Sequence, residues 1–92
     1  MKIGILGATG AVGRQMLECI EEQNLAVEEL RLFSSPRSAG RVLSFHGEGI
    51  TVQVVDEHSF DGLDYVLGAV SNALTKEYLP WIQKANAVLI DN

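Results

Sequence analysis

An α/β fold, with a doubly wound, mainly parallel sheet and a small antiparallel hairpin, is predicted by three observations. An apolar run ends in a glycine-rich turn and passes into an amphipathic helix. A second passage from apolar run to helix follows in the last third of the chain. Between them, two β-favouring runs flank a glycine-containing turn.

Lys2 to Leu6 is short, apolar and stopped by Gly7, as suits a strand buried on both faces of a parallel sheet. From Ala11 onward Val12, Met16, Cys19 and Ile20 recur at helical spacing, with Arg14, Glu18, Glu21 and Glu22 largely on the other side; the pattern fades at Gln23-Asn24. Cys19 is accordingly expected in the core. A second strand is expected around Glu28 to Phe33, followed by the turn-rich Ser34-Ser35-Pro36-Arg37-Ser38-Ala39-Gly40. Val42 to Phe45 and Ile50 to Val55, around His46-Gly47-Glu48-Gly49, predict the hairpin. Asp64 to Val70 is again nearly all apolar, and Ser71-Asn72 are good N-cap residues for a helix carrying Leu74, Tyr78, Trp81, Ile82 and Ala85. A break is expected at Pro80, because proline lacks the amide that a helix interior needs. Ala87 to Asp91 is the last expected strand. No helix follows it to close the sheet edge, so residues 1–92 are expected to form one binding domain cut short of a larger protein.

Composition excludes several functions. At 92 residues the chain suffices for one domain, which buries roughly 60–65% of its unfolded surface. The 47% hydrophobic and 21% charged content is that of a soluble globular protein, and no apolar run approaches the ~20 residues of a membrane span. The N-terminus opens directly on a strand, without a signal-type segment, so a cytoplasmic location is expected. One cysteine cannot form an internal disulfide framework or a multi-thiolate metal site. Twelve acidic against seven basic residues give a net charge of −5, and the scattered cations argue against nucleic acid. A small anion can still bind, since a few oriented amides outweigh net charge at short range.

The glycine turn is where such an anion is expected. In Gly7-Ala8-Thr9-Gly10-Ala11-Val12-Gly13, three glycines at GxxGxxG spacing allow a tight turn, close approach of a ligand, and packing of helix on strand. The free amides at the helix start place a pyrophosphate over Thr9, Gly10, Ala11 and Val12, with the Thr9 hydroxyl as a further donor. The alternative is a tight turn that binds nothing. This arrangement makes the predicted fold Rossmann-like.

After the second strand, an NAD-preferring site usually carries an acid for the ribose 2′-hydroxyl. Here Phe33-Ser34-Ser35 stands instead, and Ser35, Arg37 and Ser38 offer a forked cation and hydroxyl donors to a 2′-phosphate. NADP is therefore the expected cofactor, against the alternative of a solvated turn. The loop Gly68-Ala69-Val70-Ser71-Asn72 brings small residues to the carboxyl edge of the sheet, where Ala69 is placed to touch a cofactor ribose; an ordinary helix cap is the competing reading. His46 and His58 lack companions at ligand spacing, and no metal site is expected. Asp56, Glu57, Asp61 and Asp64 read as solvated loop acids, and Tyr78 and Trp81 as a helix face packed on the sheet. No catalytic residue is assigned.

Together GATGAVG after the opening strand, then SSPRSAG, then the closing VLIDN resemble the N-terminal domain of aspartate-semialdehyde dehydrogenases, over nearly the whole chain. The resemblance implies an oxidoreductase of amino-acid biosynthesis toward lysine, methionine and threonine. Its reaction would be the NADPH-linked reductive dephosphorylation of L-aspartyl-4-phosphate to L-aspartate 4-semialdehyde. It implies a pyrophosphate turn at Thr9 to Val12, a 2′-phosphate clamp at Arg37 and Ser38, and a homo-oligomer for the full-length enzyme. The family's catalytic cysteine and histidine belong to segments beyond the IDN-type strand end, so the chain alone is expected to be inactive. Where Gly68 to Asn72 stands, family members commonly carry a serine-alanine-glycine-glycine-like stretch. N-acetyl-glutamyl-phosphate reductases share the chemistry but tend to be bulkier after the glycine turn than Ala11-Val12. A non-catalytic NADP-binding homologue, or a purely structural relative, are the further alternatives.

Overall fold

The computed structural model describes residues 1–91. Five strands form one sheet in the order β5-β2-β1-β6-β7, where β1 is Lys2–Leu6, β2 Glu29–Ser34, β5 Gln53–Val54, β6 Tyr65–Gly68 and β7 Val88–Asp91. All four pairings are parallel. Ile3 and Ile5 of β1, flanked on both sides, are fully covered, as expected of a central parallel strand. The closing residue Asn92 of the VLIDN segment lies outside the described residues.

Helix α1, Ala11–Glu22, joins β1 to β2 and packs with Ile3, Ile5 and Leu32 into one core layer. Helix α2, Asn72–Lys84, joins β6 to β7, and its Ile82 belongs to a second layer with Leu6, Phe33, Phe60 and Val66. Phe33 meets Phe60 edge to face at 5.5 Å. Helices on both faces make the sheet doubly wound, as the alternation of runs and helical patterns predicts. Both helices end in an asparagine in the left-handed region, Asn24 at φ 52° and Asn86 at φ 59°. At the second, the amide of Asn86 donates to Gln83 and that of Ala87 to Ile82, a Schellman closure that turns the chain into β7.

Four expectations need correction. The buried face of α1 is Gly13, Leu17 and Ile20; Val12 and Cys19 are exposed. Counting apolar side chains alone passes over Gly13, which must face the strand and so rotates the helix. The hairpin is tighter than expected: β3, Val42–Phe45, pairs with β4, Glu48–Thr51, around His46-Gly47, both at positive φ as two-residue hairpin loops prefer. The expected second hairpin strand also divides. Val52 is buried and locked by bonds to Gly40 and Arg41, after which Gln53–Val54 leaves the hairpin to pair with Phe33-Ser34. Finally, α2 runs through Pro80 without a break. Proline leaves the carbonyl of Lys76 without an amide, but both residues are exposed, so water can serve that carbonyl, while buried Thr75 and Ile82 anchor the helix on either side.

Candidate functional site: the carboxyl edge beside the glycine turn

The strand order reverses direction at β1, the point in a doubly wound sheet where a crevice opens at the carboxyl ends. Gly7 leaves β1 with φ 76°, and the amides of Gly7 and Ala8 both donate to the carbonyl of Phe33 at 3.0 Å. The turn is thereby tied to the end of β2. Gly10 donates to the Gly7 carbonyl at 3.1 Å and then serves as N-cap of α1, with no side chain to satisfy the first-turn amides. Gly10, Ala11 and Val12 are exposed and Thr9 is half-buried, so the helix start presents its amides outward. Arg14 folds back to donate from Nε to the Thr9 carbonyl at 3.2 Å. That arrangement keeps Arg14 exposed, as its place on the polar side of the helix predicts, and puts its guanidinium beside the turn.

Of the glycines in the turn, Gly7 is needed on steric grounds and Gly10 is not. A Cβ on Gly7 would stand 2.5 Å from the Ala69 carbonyl oxygen and 2.9 Å from Cγ1 of Val70. At Gly10 the nearest atom would be 3.5 Å away. Ala69, half-buried, is fixed in turn by its amide bond to the Leu6 carbonyl at 3.0 Å. Ser71 is spent as a cap: its Oγ accepts from the amide of Leu74 at 3.3 Å, and its carbonyl accepts from the Thr75 hydroxyl at 3.1 Å.

The turn after β2 is shaped by Ser35, whose carbonyl accepts from the amides of Ser38 and Ala39 and from the Ser34 hydroxyl. Arg37 on this turn is exposed and makes no ion pair or side-chain hydrogen bond among the described residues. Ser35 is exposed and Ser38 half-buried.

A cleft of about 190 Å³ lies between these two turns. Leu6 and Phe33 line it from the strand ends, Val55, Val70, Leu74 and Tyr78 line it from flanking segments, and Gly7 and Ser35 border it. Of the nine candidate cofactor residues, Gly7 and Ser35 thus share one cleft. Thr9, Gly10, Ala11 and Val12 continue from it along the helix start, Arg37 and Ser38 follow Ser35, and Ala69 backs Gly7. Helical spacing marks Leu74 and Tyr78 as one helix face but carries no sign that this face also lines a cleft. Tyr78 packs against the core as expected, stacks on Trp81 at 6.0 Å, and also borders the cleft.

A larger cleft, about 370 Å³, opens around the start of β2. Its Arg31 is already committed to the Glu29 carboxylate and to the carbonyls of Ser59 and Asp61 at 3.0 and 2.6 Å. Hydrogen bonding to Arg31 lowers the Glu29 pKa, burial opposes this, and the charges of Arg31 and Lys2 add to the lowering. These groups satisfy one another. His58 lies 3.1 Å from Asp61 and 3.6 Å from Glu57, all exposed, and no group of three or more metal-ligating side chains occurs among the described residues. Asp64 accepts from the Lys2 amide at 2.7 Å and Asp56 from the His58 amide at 2.8 Å, so both loop acids have structural partners. No helix among the described residues is long and apolar enough to cross a membrane.

A doubly wound sheet with a glycine turn at its switch point, opening on a helix start and an adjoining apolar cleft, defines a dinucleotide-binding domain. The chain belongs to the family described as semialdehyde dehydrogenase, NAD binding domain, which matches residues 2–92. It is 45% identical over its whole length to the aspartate-semialdehyde dehydrogenase of Synechocystis and 44% identical over 99% of its length to that of Aquifex aeolicus. The crystal structure of aspartate semialdehyde dehydrogenase II from Vibrio cholerae superposes on 99% of the chain with a TM-score of 0.93 at 37% identity. In each case the chain spans 27% of the length of the relative. It corresponds to the N-terminal nucleotide-binding domain of these enzymes.

Proposed function

We propose that the chain binds NADP(H), and that the protein it serves catalyses NADPH-linked reductive dephosphorylation of L-aspartyl-4-phosphate to L-aspartate 4-semialdehyde and phosphate. The observation that carries the cofactor reading is the apolar cleft between the Gly7 turn and the Ser35 turn. Gly7 borders it at the turn that leads into the start of α1, and Ser35-Pro36 border it just before Arg37, so an adenosine in the cleft would carry its phosphates toward a helix start on one side and a cation on the other. The Gly7 turn and the amides of Ala11 and Val12 would hold the pyrophosphate. Leu74, Val55 and Tyr78 would flank the base, and Arg37 with Ser35 and Ser38 would pair the 2′-phosphate. Ala69 would meet the ribose on the other side of Gly7.

When bound, NADPH supplies the hydride for the reduction. This chain's own residues bind and orient it; the thiolate and proton-transfer groups of the reaction belong to the remainder of the enzyme. The family's length supports that division, since its relatives are nearly four times longer than these 92 residues. On this reading the 92 residues are the NADP-binding domain of a cytoplasmic homo-oligomer in the route to lysine, methionine and threonine.

Titration of the chain with NADP and NAD, followed by Trp81 fluorescence, tests the cofactor assignment. Trp81 stacks on Tyr78 at the cleft, so saturable quenching with NADP tighter than NAD is expected. A folded sample showing no response at millimolar NADP by fluorescence or calorimetry overturns it. Assay of the full-length protein with aspartate semialdehyde, phosphate and NADP tests the activity, and the 92-residue chain should bind without turnover.

A further inference from the structure

Val70 lies between the glycine turn and the apolar cleft. It follows β6 and is half-buried, and its Cγ1 lies so close to Gly7 that a Cβ there would be 2.9 Å away. The same side chain borders the apolar cleft with Leu74 and Tyr78, and it packs against the α2 core layer. One β-branched side chain therefore covers the glycine turn and forms a wall of the adjoining cleft. Its position is not free to drift, because the preceding Ala69 is hydrogen-bonded to Leu6 and the following Ser71 caps α2. A valine has one soft torsion with few allowed rotamers, so the wall is stiff as well as fixed.

We propose that Val70 is a binding residue of the nucleotide site, its side-chain volume setting the width of the cleft that receives the adenosine half of the cofactor. The inference rests on the NADP reading. It adds that position 70 governs affinity through contact with the adenosine, in addition to whatever it gives the core. A smaller side chain leaves the base and ribose without an apolar partner on that wall; a larger one fills the cleft against Gly7. Affinity therefore passes through an optimum near valine and falls on both sides of it.

The test uses 2′,5′-ADP, which carries the adenosine and both flanking phosphates but no nicotinamide, alongside NADP. Val70→Ala removes two methyl groups' worth of contact and should weaken both ligands about three- to tenfold. Val70→Phe should weaken both by about tenfold or more, through overfilling. Equal losses for the two ligands locate the effect at the adenosine end. Urea unfolding of each variant separates folding from binding, and Val70→Ile supplies a milder enlargement should the phenylalanine variant fail to fold; it should weaken 2′,5′-ADP about two- to fivefold relative to wild type. Unchanged 2′,5′-ADP affinity in folded Val70→Ala and Val70→Ile overturns the role of Val70 while leaving the NADP reading standing. If the wild-type chain binds neither NADP nor 2′,5′-ADP, the cofactor reading fails first and this inference with it.

Discussion

Gly13 presses on the carbonyl of Gly7: a Cβ at position 13 would stand 2.1 Å from that oxygen and 2.8 Å from Cα of Ala8. Both neighbours are backbone, so nothing flexible can yield, and the first turn of α1 can sit this low on the glycine turn only with hydrogen at position 13. Gly13→Ala should therefore destabilise the fold by about 1–3 kcal/mol, even though alanine is intrinsically the better helix former by about 1 kcal/mol. The comparison variant is Gly10→Ala, where the nearest atom is 3.5 Å away and the backbone is ordinary extended chain at φ −78°. Its stability should stay within about 1 kcal/mol of wild type. Urea midpoints measured side by side decide the matter, and equal midpoints for the two variants would remove the steric account.

On the proposed NADP reading, Arg37 would carry the cofactor preference. Its guanidinium is exposed and free of ion pairs among the described residues, three positions past the end of β2. Replacing it with alanine should weaken NADP by about 1–3 kcal/mol while scarcely changing NAD. Calorimetric titration of both cofactors against wild type and Arg37→Ala checks this. Equal losses for both would show that Arg37 does not read the 2′-phosphate.

How far the sequence disclosed this site depends on which physical signal each residue carries. The strand, glycine turn and helix start were legible because each needs a residue type at a set spacing, and Gly7 and Gly13 answer it with backbone contacts no other residue allows. The hairpin was legible in outline, but the departure of Gln53–Val54 into the main sheet was not, since it depends on the long-range bonds that pin Val52 to Gly40 and Arg41. The cleft was hidden for a related reason. Val55, Val70 and Tyr78 lie on separate segments, and their meeting at one sheet edge is a product of topology. Periodicity alone could assign Tyr78 only to a helix face.

Cys19 shows the same limit at one residue. Its placement among apolar neighbours suggested burial, yet Gly13, Leu17 and Ile20 hold the sheet-facing stripe and turn Cys19 to solvent. The native chain should therefore react fully with a disulfide reagent such as DTNB, at a rate close to that of the urea-unfolded chain. Protection by a factor of a hundred or so, the signature of a thiol reached only through unfolding, would contradict the exposure.

Pro80 is a stability defect the fold tolerates. It sits inside α2, exposed, with no amide to give the carbonyl of Lys76. Pro80→Ala restores that bond and removes the ring's clash with the preceding turn. The unfolded chain regains some freedom, which offsets about 0.4–1 kcal/mol. A net gain of about 1–2 kcal/mol in urea unfolding is expected, less than the full proline penalty of ~3 kcal/mol because water can serve the exposed Lys76 carbonyl and the unfolded chain regains freedom. A loss of stability would mean that the ring itself packs productively.

The ion pair between Glu29 and Arg31 gives the fold an acid-sensitive contribution of known sign. Arg31 lowers the Glu29 pKa below its reference value of 4.5, so the native state binds that proton less readily than the unfolded chain does. Such a group adds stability that is fully present above the unfolded value and is lost as pH falls through the lowered native one. The Glu29 side chain is 41% exposed, so solvent screens the pair and its contribution at pH 7 should stay below about 1 kcal/mol. Wild type and Glu29→Gln, unfolded in urea from pH 7 to pH 3, should differ by a constant amount down to about pH 4.5 and then converge. Arg31→Met should shrink that convergence, leaving the smaller effect of Lys2, and lower stability further, because it also strips the donor from the Ser59 and Asp61 carbonyls that hold the loop before β6. A Glu29→Gln difference that persists undiminished at pH 3 would show that the carboxylate's charge is not what Arg31 stabilises.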